Sequence, residues 1–488
     1  MNRILSDILY KAGLVDVTGS TDIEISSICI DSRKVEKDSL FIAIPGTLTD
    51  GHDFIEKAIS LGARAVICER APDEVHDGVT YIRCESSALA AGVCASNFYD
   101  QPSGKLKLVG ITGTNGKTTT ATLLFNLLRE LGYSCGLLST VVNRIDDEEI
   151  QATHTTPDPV SLNELLFRMV EHGVEYCFME VSSHAIDQKR VAGITFEGAV
   201  FTNITHDHLD YHQTFDAYIK AKKALFDGLP ARAFAIINGD DKRHQVMVQN
   251  CKARIKTFAL KNMADYKAKV LENQFSGLHL HINNLDLYSK LVGGFNAYNL
   301  LAVWAVTQEL ELDPLEVLTA LSVQDSVAGR FQYMRSNSQI TAIIDYAHTP
   351  DALKNVLATI KDIRTGNEQV ITVVGCGGNR DKEKRPVMAR IAAELSDKVI
   401  LTSDNPRNED PEVILSEMKG GLDPTQVARS ITLSDRKEAI KIACSLANAG
   451  DIILVAGKGH ETYQEIQGIK HPFDDLAVVG ETFKMLNK

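Results

Sequence analysis

Residues 113–120 read Gly-Thr-Asn-Gly-Lys-Thr-Thr-Thr and carry the densest chemical signal in the chain. Gly113, Thr114, Asn115, Gly116, Lys117, Thr118 and Thr119 combine a glycine turn, an ammonium and several hydroxyls. The apolar Leu106, Leu108, Val109 and Ile111 lead in, and Ala121–Leu131 leads out with helical character. A buried strand, a glycine turn and a helix start make a phosphate cradle, because backbone N–H groups and the positive end of the helix dipole face an anion. Lys117 can reach the terminal phosphates of a nucleoside triphosphate, and the Thr118 hydroxyl can ligate Mg²⁺. The usual pattern has glycine five residues before Gly116. This chain has Ile111 there, with glycines at 110 and 113. A chance Gly-Lys-Thr would not bring strand, loop and helix into that order, so ATP is read as a ligand.

Other residues suit the same chemistry. Glu180 closes the apolar run Tyr176-Cys177-Phe178-Met179 and opens Glu-Val-Ser-Ser-His. An acid at a strand end beside a phosphate cradle can hold Mg²⁺; equally, it can cap the next element. The run His206-Asp207-His208-Leu209-Asp210-Tyr211-His212 is dense in ligand groups. A polar loop with capping aspartates is one reading and a zinc hydrolase site another. Zinc wants three or four converging protein ligands, and neither a His-Glu-x-x-His helix nor a cysteine cluster supplies them. Mg²⁺ beside Glu180 suits a histidine of this run better, although imidazole is not its usual ligand. Lys222 shares a helical face with Tyr218, Leu225 and Phe226. A lysine so placed ordinarily snorkels from the core edge.

Two loops in the last third complete the set. Asp404-Asn405-Pro406-Arg407 follows the strand-like Val399-Ile400-Leu401 and reads as a turn with Asn-Pro as its initiator. It joins a carboxylate, an amide and a guanidinium. Gly457-Lys458-Gly459-His460-Glu461 follows Ile452–Ala456 in the same way. On neighbouring strands, two such loops make a pocket for a zwitterion, since guanidinium pairs with carboxylate and an acid with ammonium. Gly375-Cys376-Gly377-Gly378-Asn379-Arg380 could pass for a dinucleotide fingerprint. Arg380 stands where its third glycine belongs, which argues against NAD.

The elements that must position these groups fall into three blocks within 488 residues. Residues 1–100 alternate short strand-like runs (Ile23–Ile30, Leu40–Ile44, Ala65–Cys68) with a helical Phe54–Leu61, and MNRILSDILYKAG at their start reads as a short amphipathic helix. Residues 101–330 alternate strands and helices around the cradle, which predicts a doubly wound, mostly parallel sheet. Residues 331–488 repeat the pattern, with strands Ile340–Asp345, Val370–Gly375, Lys398–Leu401 and Asp451–Ala456. Ligand loops are expected at the carboxyl ends of such strands. The fold class is therefore α/β. Apolar content of 44% and charged content of 24% are those of a soluble globular protein. A formal charge of −13 disfavours nucleic acid as a partner. No apolar run reaches membrane-spanning length, and the start lacks a signal-peptide core. Nine cysteines without a Cys-x-x-Cys pair suit reduced thiols in the cytoplasm.

Taken together, these landmarks resemble the Mur ligases of peptidoglycan synthesis along essentially the whole chain. They run in family order: Asp31-Ser32-Arg33, Gly-Thr-Asn-Gly-Lys-Thr, His154-Thr155-Thr156-Pro157, Glu-Val-Ser-Ser-His, Asp-His-Leu-Asp-Tyr-His, Asn296-x-x-Asn299, Gly329-Arg330-Phe331, Asp345-Tyr346-Ala347-His348 and Asp-Asn-Pro-Arg. Within the family the chain looks like the branch that adds the third amino acid. The resemblance implies a small N-terminal α/β domain for the UDP end of the substrate. It also implies a central P-loop ATPase-like sheet and a C-terminal Rossmann-like domain for the incoming amino acid. It places Ile30, Ser32 and the loop 47–49 on the UDP-sugar, and Thr155, Thr156, Ser182, Gln188 and Arg190 along the sugar–peptide path. It places Asn296, Arg330 and Asp345 around ATP. Counting from Asp-His-Leu-Asp-Tyr-His puts the family's carbamylated lysine at Lys222. Two Mg²⁺ ions are then expected at Thr118, Glu180, His208 and carbamylated Lys222.

The family mechanism follows. The D-glutamate γ-carboxylate attacks the ATP γ-phosphate, and an amine then attacks the acyl phosphate; Lys117, Glu180, His208 and Lys222 are the catalytic set. The family's diaminopimelate enzymes carry Asp-Asn-Pro-Arg, and its lysine enzymes replace that arginine. Arg407 is present, so a diaminopimelate pocket of Arg380, Asp404, Asn405, Pro406, Arg407, Gly457 and Glu461 is expected, in a cytoplasmic monomer with small-molecule substrates only. The alternatives are the same ligase using L-lysine, a folylpolyglutamate synthetase, and a non-catalytic nucleotide-binding regulator.

Overall fold

The computed structural model describes residues 2–488 apart from 47–48, 71–73 and 208, with backbone alone at 209 and 210. Its strands form three main sheets, one within each stretch of sequence just described. The first sheet has five strands in the order Leu14–Thr18, Thr80–Cys84, Ala63–Cys68, Ser39–Ile42, Ser27–Cys29, parallel except for the outermost pair. Side chains alternate along a strand. Leu40 and Ile42 therefore enter one core with Ile67, Cys94 and Phe98, while Phe41 and Ala43 enter another with Val66 and Ala58. The chain start differs from the amphipathic helix expected. Arg3–Ile4 pairs antiparallel with Glu24–Ile25, and only Leu5–Ile8 is left to form a helical turn.

The central sheet has eleven strands. Seven parallel ones run from Cys135–Leu138 across Tyr176–Glu180, Lys107–Thr112, Gly198–Phe201, Phe234–Asn238 and Arg254–Ala259 to Tyr266–Gln274. The sequence reading missed the antiparallel borders, Val142–Gln151 on one edge and Gly277–Ser289 on the other. Helix Lys117–Glu130 packs one face of the sheet through Leu123, Leu124 and Leu127, against helix Gly294–Glu309 with Trp304. Helix Phe215–Asp227, capped by the Thr214 hydroxyl, covers the other face through Tyr218 and Phe226.

The third sheet is ordered Gln332–Arg335, Thr341–Asp345, Ile452–Ala456, Val370–Cys376, Lys398–Ser403, Ser430–Thr432, and is parallel apart from the first pair. One expectation is corrected here. The strands leading to the Asp404–Arg407 and Gly457–Glu461 loops are not neighbours, because Val370–Cys376 lies between them. The loops still meet, since the intervening strand ends on small residues. A Cβ on Gly375 would sit 2.5 Å from the Thr402 carbonyl oxygen. The fully buried Arg436 braces the two strands flanking Val370–Cys376, donating to the carbonyls of Ser403 and Ala456 while pairing with the fully buried Asp475 at 2.7 Å. Among the described residues no helix is long and apolar enough to cross a membrane, and all nine cysteines are free thiols.

Candidate active site

The cradle is shaped by two glycines where any side chain would be strained. Gly113 has φ 152° and a Cβ there would lie 1.9 Å from the Thr202 hydroxyl. Gly116 has φ 88° and its Cβ would lie 2.5 Å from Asn299 Oδ1. The loop is clamped from the next strand's end: Asn203 accepts from the N–H groups of Thr114 and Asn115, and the Thr202 hydroxyl donates to the Asn115 carbonyl. Motif spacing did not single out Thr202 and Asn203, because their role depends on which strand lies beside the cradle.

Two lysines converge inside the loop. Lys117 Nζ donates to the carbonyls of Gly113 and Thr114, each at 2.9 Å. Lys222 Nζ donates to the same Gly113 oxygen at 2.9 Å and lies 4.8 Å from the Tyr218 ring centre. Lys222 is 1% exposed, so it does not snorkel. Burial lowers the pKa of Lys117, and burial together with the neighbouring Lys117 charge lowers that of Lys222 well below the ordinary value. A site that crowds two amines onto one carbonyl is built for anions.

Glu180, fully buried, accepts from the Thr140 N–H at 2.8 Å and from its hydroxyl at 3.2 Å. The Thr140 hydroxyl also bonds Thr155. The Thr156 hydroxyl donates to the Glu180 carbonyl and accepts from the Ser182 N–H. Arg190 donates to the Thr156 carbonyl and to Gln188 Oε1, and burial lowers its pKa. Thr155, Thr156, Ser182, Gln188 and Arg190 thus form one network starting at Glu180. Ile30 and Ser32 lie just beyond strand Ser27–Cys29 of the first sheet, and among the described residues no hydrogen bond joins them to that network. His208 and residues 47–48 fall outside the described residues. Among those described, no three His, Cys, Asp or Glu side chains converge as a metal cage.

Arg330 reaches the cradle from the start of the third sheet. Its Nη2 donates to the Thr118 hydroxyl at 3.0 Å, and its guanidinium lies 4.6 Å from the Tyr346 ring centre. Asp345 accepts from the Phe331 and Ala347 N–H groups, holding the turn that carries Arg330, and burial pushes its carboxyl pKa up. Asn296 accepts from Asn299, whose own oxygen faces Gly116. Asp351, not singled out in the sequence, accepts from Asn115 Nδ2 at 3.0 Å and the Thr205 hydroxyl at 3.2 Å.

A cleft of about 530 Å³ opens beside this assembly. Thr155, His184, His206 and Asp207 line it from the central sheet, and Arg380, Asp404, Asn405, Arg407, Gly457 and Glu461 line it from the third. Pro406 does not line it; its carbonyl packs against Gly378, where a Cβ would lie only 1.9 Å away. Arg407 is held at φ 52° by backbone bonds to Glu465 and Gln467. Its Nη1 donates to the Gly378 carbonyl at 2.9 Å, and its Nε lies 3.4 Å from the Glu465 carboxylate. Behind the cleft, the buried Arg385 ties the Gly377 carbonyl to Glu409 and Glu417. His348, at the cleft wall, has its pKa lowered to about 4 by burial and the nearby Lys384 charge.

Comparison with known proteins gives matches to three family descriptions: "Mur ligase family, catalytic domain" over residues 24–99, "Mur ligase middle domain" over 111–307 and "Mur ligase, glutamate ligase domain" over 329–459. A UDP-N-acetylmuramoyl-L-alanyl-D-glutamate–2,6-diaminopimelate ligase of Cytophaga hutchinsonii is 57% identical, covering 99% of this chain and all of that protein. One of Bacteroides fragilis is 53% identical over 99% of each. A solved structure described by the same enzyme name aligns over the full length of both chains with a TM-score of 0.71 and 33% identity.

Proposed function

Because the chain belongs to the Mur ligase family, we infer that it is the ATP-dependent, ADP-forming ligase that joins meso-2,6-diaminopimelate to the D-glutamate γ-carboxylate of UDP-N-acetylmuramoyl-L-alanyl-D-glutamate, in peptidoglycan precursor synthesis. The observation that carries the reading is the shared cleft. One wall comes from the central sheet that bears the phosphate cradle, and the other offers guanidinium groups opposite carboxylates, the complement of an amino acid. In this reading residues 1–100 hold the UDP end, 101–330 bind ATP and 331–488 bring the amino acid, in a cytoplasmic enzyme working as a monomer. Ile30, Ser32, Thr155, Thr156, Ser182, Gln188 and Arg190 serve the UDP substrate. Asn296, Arg330 and Asp345 frame ATP.

The D-glutamate carboxylate attacks the γ-phosphorus. The bond to the β-phosphate oxygen breaks, and ADP leaves with an acyl phosphate remaining. The Lys117 ammonium, exchanging its carbonyl partners for phosphate oxygens, offsets charge on the transferring group. The diaminopimelate amine then attacks the acyl carbon, loses a proton, and inorganic phosphate departs. Arg380 and Arg407 hold the distal carboxylate of diaminopimelate, while Asp404 and Glu461 hold its ammonium. The walls of the cleft limit water, which would otherwise hydrolyse the acyl phosphate.

The donor set suits Mg²⁺ in its oxygen ligands, a buried carboxylate at Glu180 and a hydroxyl at Thr118, while Lys222 would supply an anion only once carbamylated. Thr118, Glu180, His208 and carbamylated Lys222 would hold two such ions, which neutralise phosphate charge when bound. The deciding assay is ATP-dependent phosphate release with the UDP-dipeptide, comparing meso-diaminopimelate with L-lysine. Release with diaminopimelate supports the reading. Release with lysine alone overturns the substrate assignment, and none with either favours a non-catalytic regulator.

A further inference from the structure

Lys458 is fully buried, yet its ammonium lies directly behind the cleft wall. It donates to Asn405 Oδ1 at 2.9 Å and pairs with Glu461 Oε2 at 3.0 Å. The Glu465 N–H also donates to Asn405 Oδ1, at 2.9 Å, and Asn405 Nδ2 donates to Glu461 Oε2 at 2.8 Å. These partners settle which way the Asn405 amide points. An ammonium and a backbone N–H have only protons to offer, so the atom they share is oxygen. A carboxylate only accepts, so the atom facing it is nitrogen. The oxygen of Asn405 is thereby committed to the protein interior, and what the side chain has left is one N–H proton. Glu461 is split in the same way. Oε2 takes both internal donors, and among the described residues no hydrogen bond reaches Oε1, on a residue that lines the cleft.

We propose that Lys458 is a positioning residue that sets the polarity of the amino-acid pocket. Together with the Glu465 N–H it holds Asn405 as a donor toward the cleft, which joins Arg380 and Arg407 around the distal carboxylate of the incoming amino acid. It also leaves one oxygen of Glu461 for that substrate's ammonium. The proposal rests on the reading of this cleft as the amino-acid site. Remove the ammonium and the Asn405 oxygen keeps only one of its two donors, the Glu465 N–H, so the amide is held less firmly. Glu461 then carries its whole charge into the cleft. Both changes misplace a zwitterion, and neither touches the phosphate cradle or the UDP-substrate network.

The test compares KM for diaminopimelate, ATP and the UDP-dipeptide in the wild type, Lys458→Met and Lys458→Gln, with a thermal melt of each protein. Losing hydrogen bonds to a charged group is expected to raise the diaminopimelate KM about ten-fold or more in Lys458→Met. The other two KM values and kcat at saturation should hold within about three-fold, the signature of lost substrate binding alone. Lys458→Gln, shorter and neutral, keeps one contact and should raise the same KM less. In an Asn405→Ala background, Lys458→Met should add less than its single effect on log KM, because the part carried by Asn405 is already lost and only the Glu461 part remains. An unmoved diaminopimelate KM in whichever variant folds, an equal rise in all three KM values, or full additivity overturns the proposal. A wild type inert with diaminopimelate overturns the functional reading as well, so the two failures are distinguishable.

Discussion

Replacing Arg407 with alanine tests the amino-acid pocket most directly. The guanidinium spends one Nη1 proton on the Gly378 carbonyl and directs its Nε toward Glu465. The other Nη1 proton and Nη2 remain for a carboxylate, to which a guanidinium can give two charge-assisted bonds. Two charge-assisted hydrogen bonds at about 1.5 kcal/mol each amount to about 3 kcal/mol. At 1.4 kcal/mol per factor of ten, the diaminopimelate KM should rise roughly 100-fold. Glu465 adds to this, because without its partner it faces an incoming carboxylate with its own negative charge. Glu465→Gln placed on top of Arg407→Ala should therefore recover part of the loss. Phosphate release at varied diaminopimelate, with ATP and UDP-dipeptide saturating, reads the effect. The position has φ 52°, so Arg407→Gly relieves backbone strain that alanine retains. Equal KM values for the Gly and Ala variants would assign the effect to the side chain. If Arg407→Ala raises the UDP-dipeptide KM as much as the diaminopimelate KM, the assignment of Arg407 to the amino-acid pocket is wrong.

On the proposal that carbamylated Lys222 holds a metal ion, Lys222→Ala should lower kcat about 100-fold or more, and acetate or formate should restore part of it by supplying a carboxylate. No rescue at any carboxylate concentration would count against an anionic Lys222. His348, with its folded pKa lowered to about 4, is neutral in the native protein at neutral pH and takes up its proton more readily once unfolded. Its contribution to stability is therefore full above the unfolded value of about 6.5 and lost as pH falls from there to about 4. The upper bound is about 3 kcal/mol, reduced because the ring borders the cleft. Melting temperature against pH should show a flatter acid limb in His348→Gln, and an unchanged limb would refute this. Asp475→Asn leaves the buried Arg436 charge unmatched and should cost about 3–5 kcal/mol in a urea titration. A loss under about 1 kcal/mol would mean that water reaches the pair.

Local chemistry was legible from the order of residues. A glycine loop between a buried strand and a helix requires only neighbours in the chain, so the cradle at 113–120 and the helix after it were readable directly. The face that Lys222 shares with Tyr218, Leu225 and Phe226 likewise followed from a 3.6-residue period, whereas its full burial, in place of snorkelling, did not. Strand order was not legible. Sequence gives no register across a sheet, so the strand between the two amino-acid loops and the antiparallel borders of the central sheet came as corrections.

Composition and motif therefore determined the class of chemistry: a phosphate cradle, a strand-end acid, and loops of mixed charge. Only the tertiary structure decided which groups share an atom. Lys117 and Lys222 lie 105 positions apart in the numbering, yet both bond the Gly113 carbonyl. Lys458 passed as a loop residue until Asn405 and Glu461 were seen to close around it. The physical reason is that electrostatics and hydrogen bonding depend on distance through space, and the chain encodes that distance only through the packing of its sheets and helices.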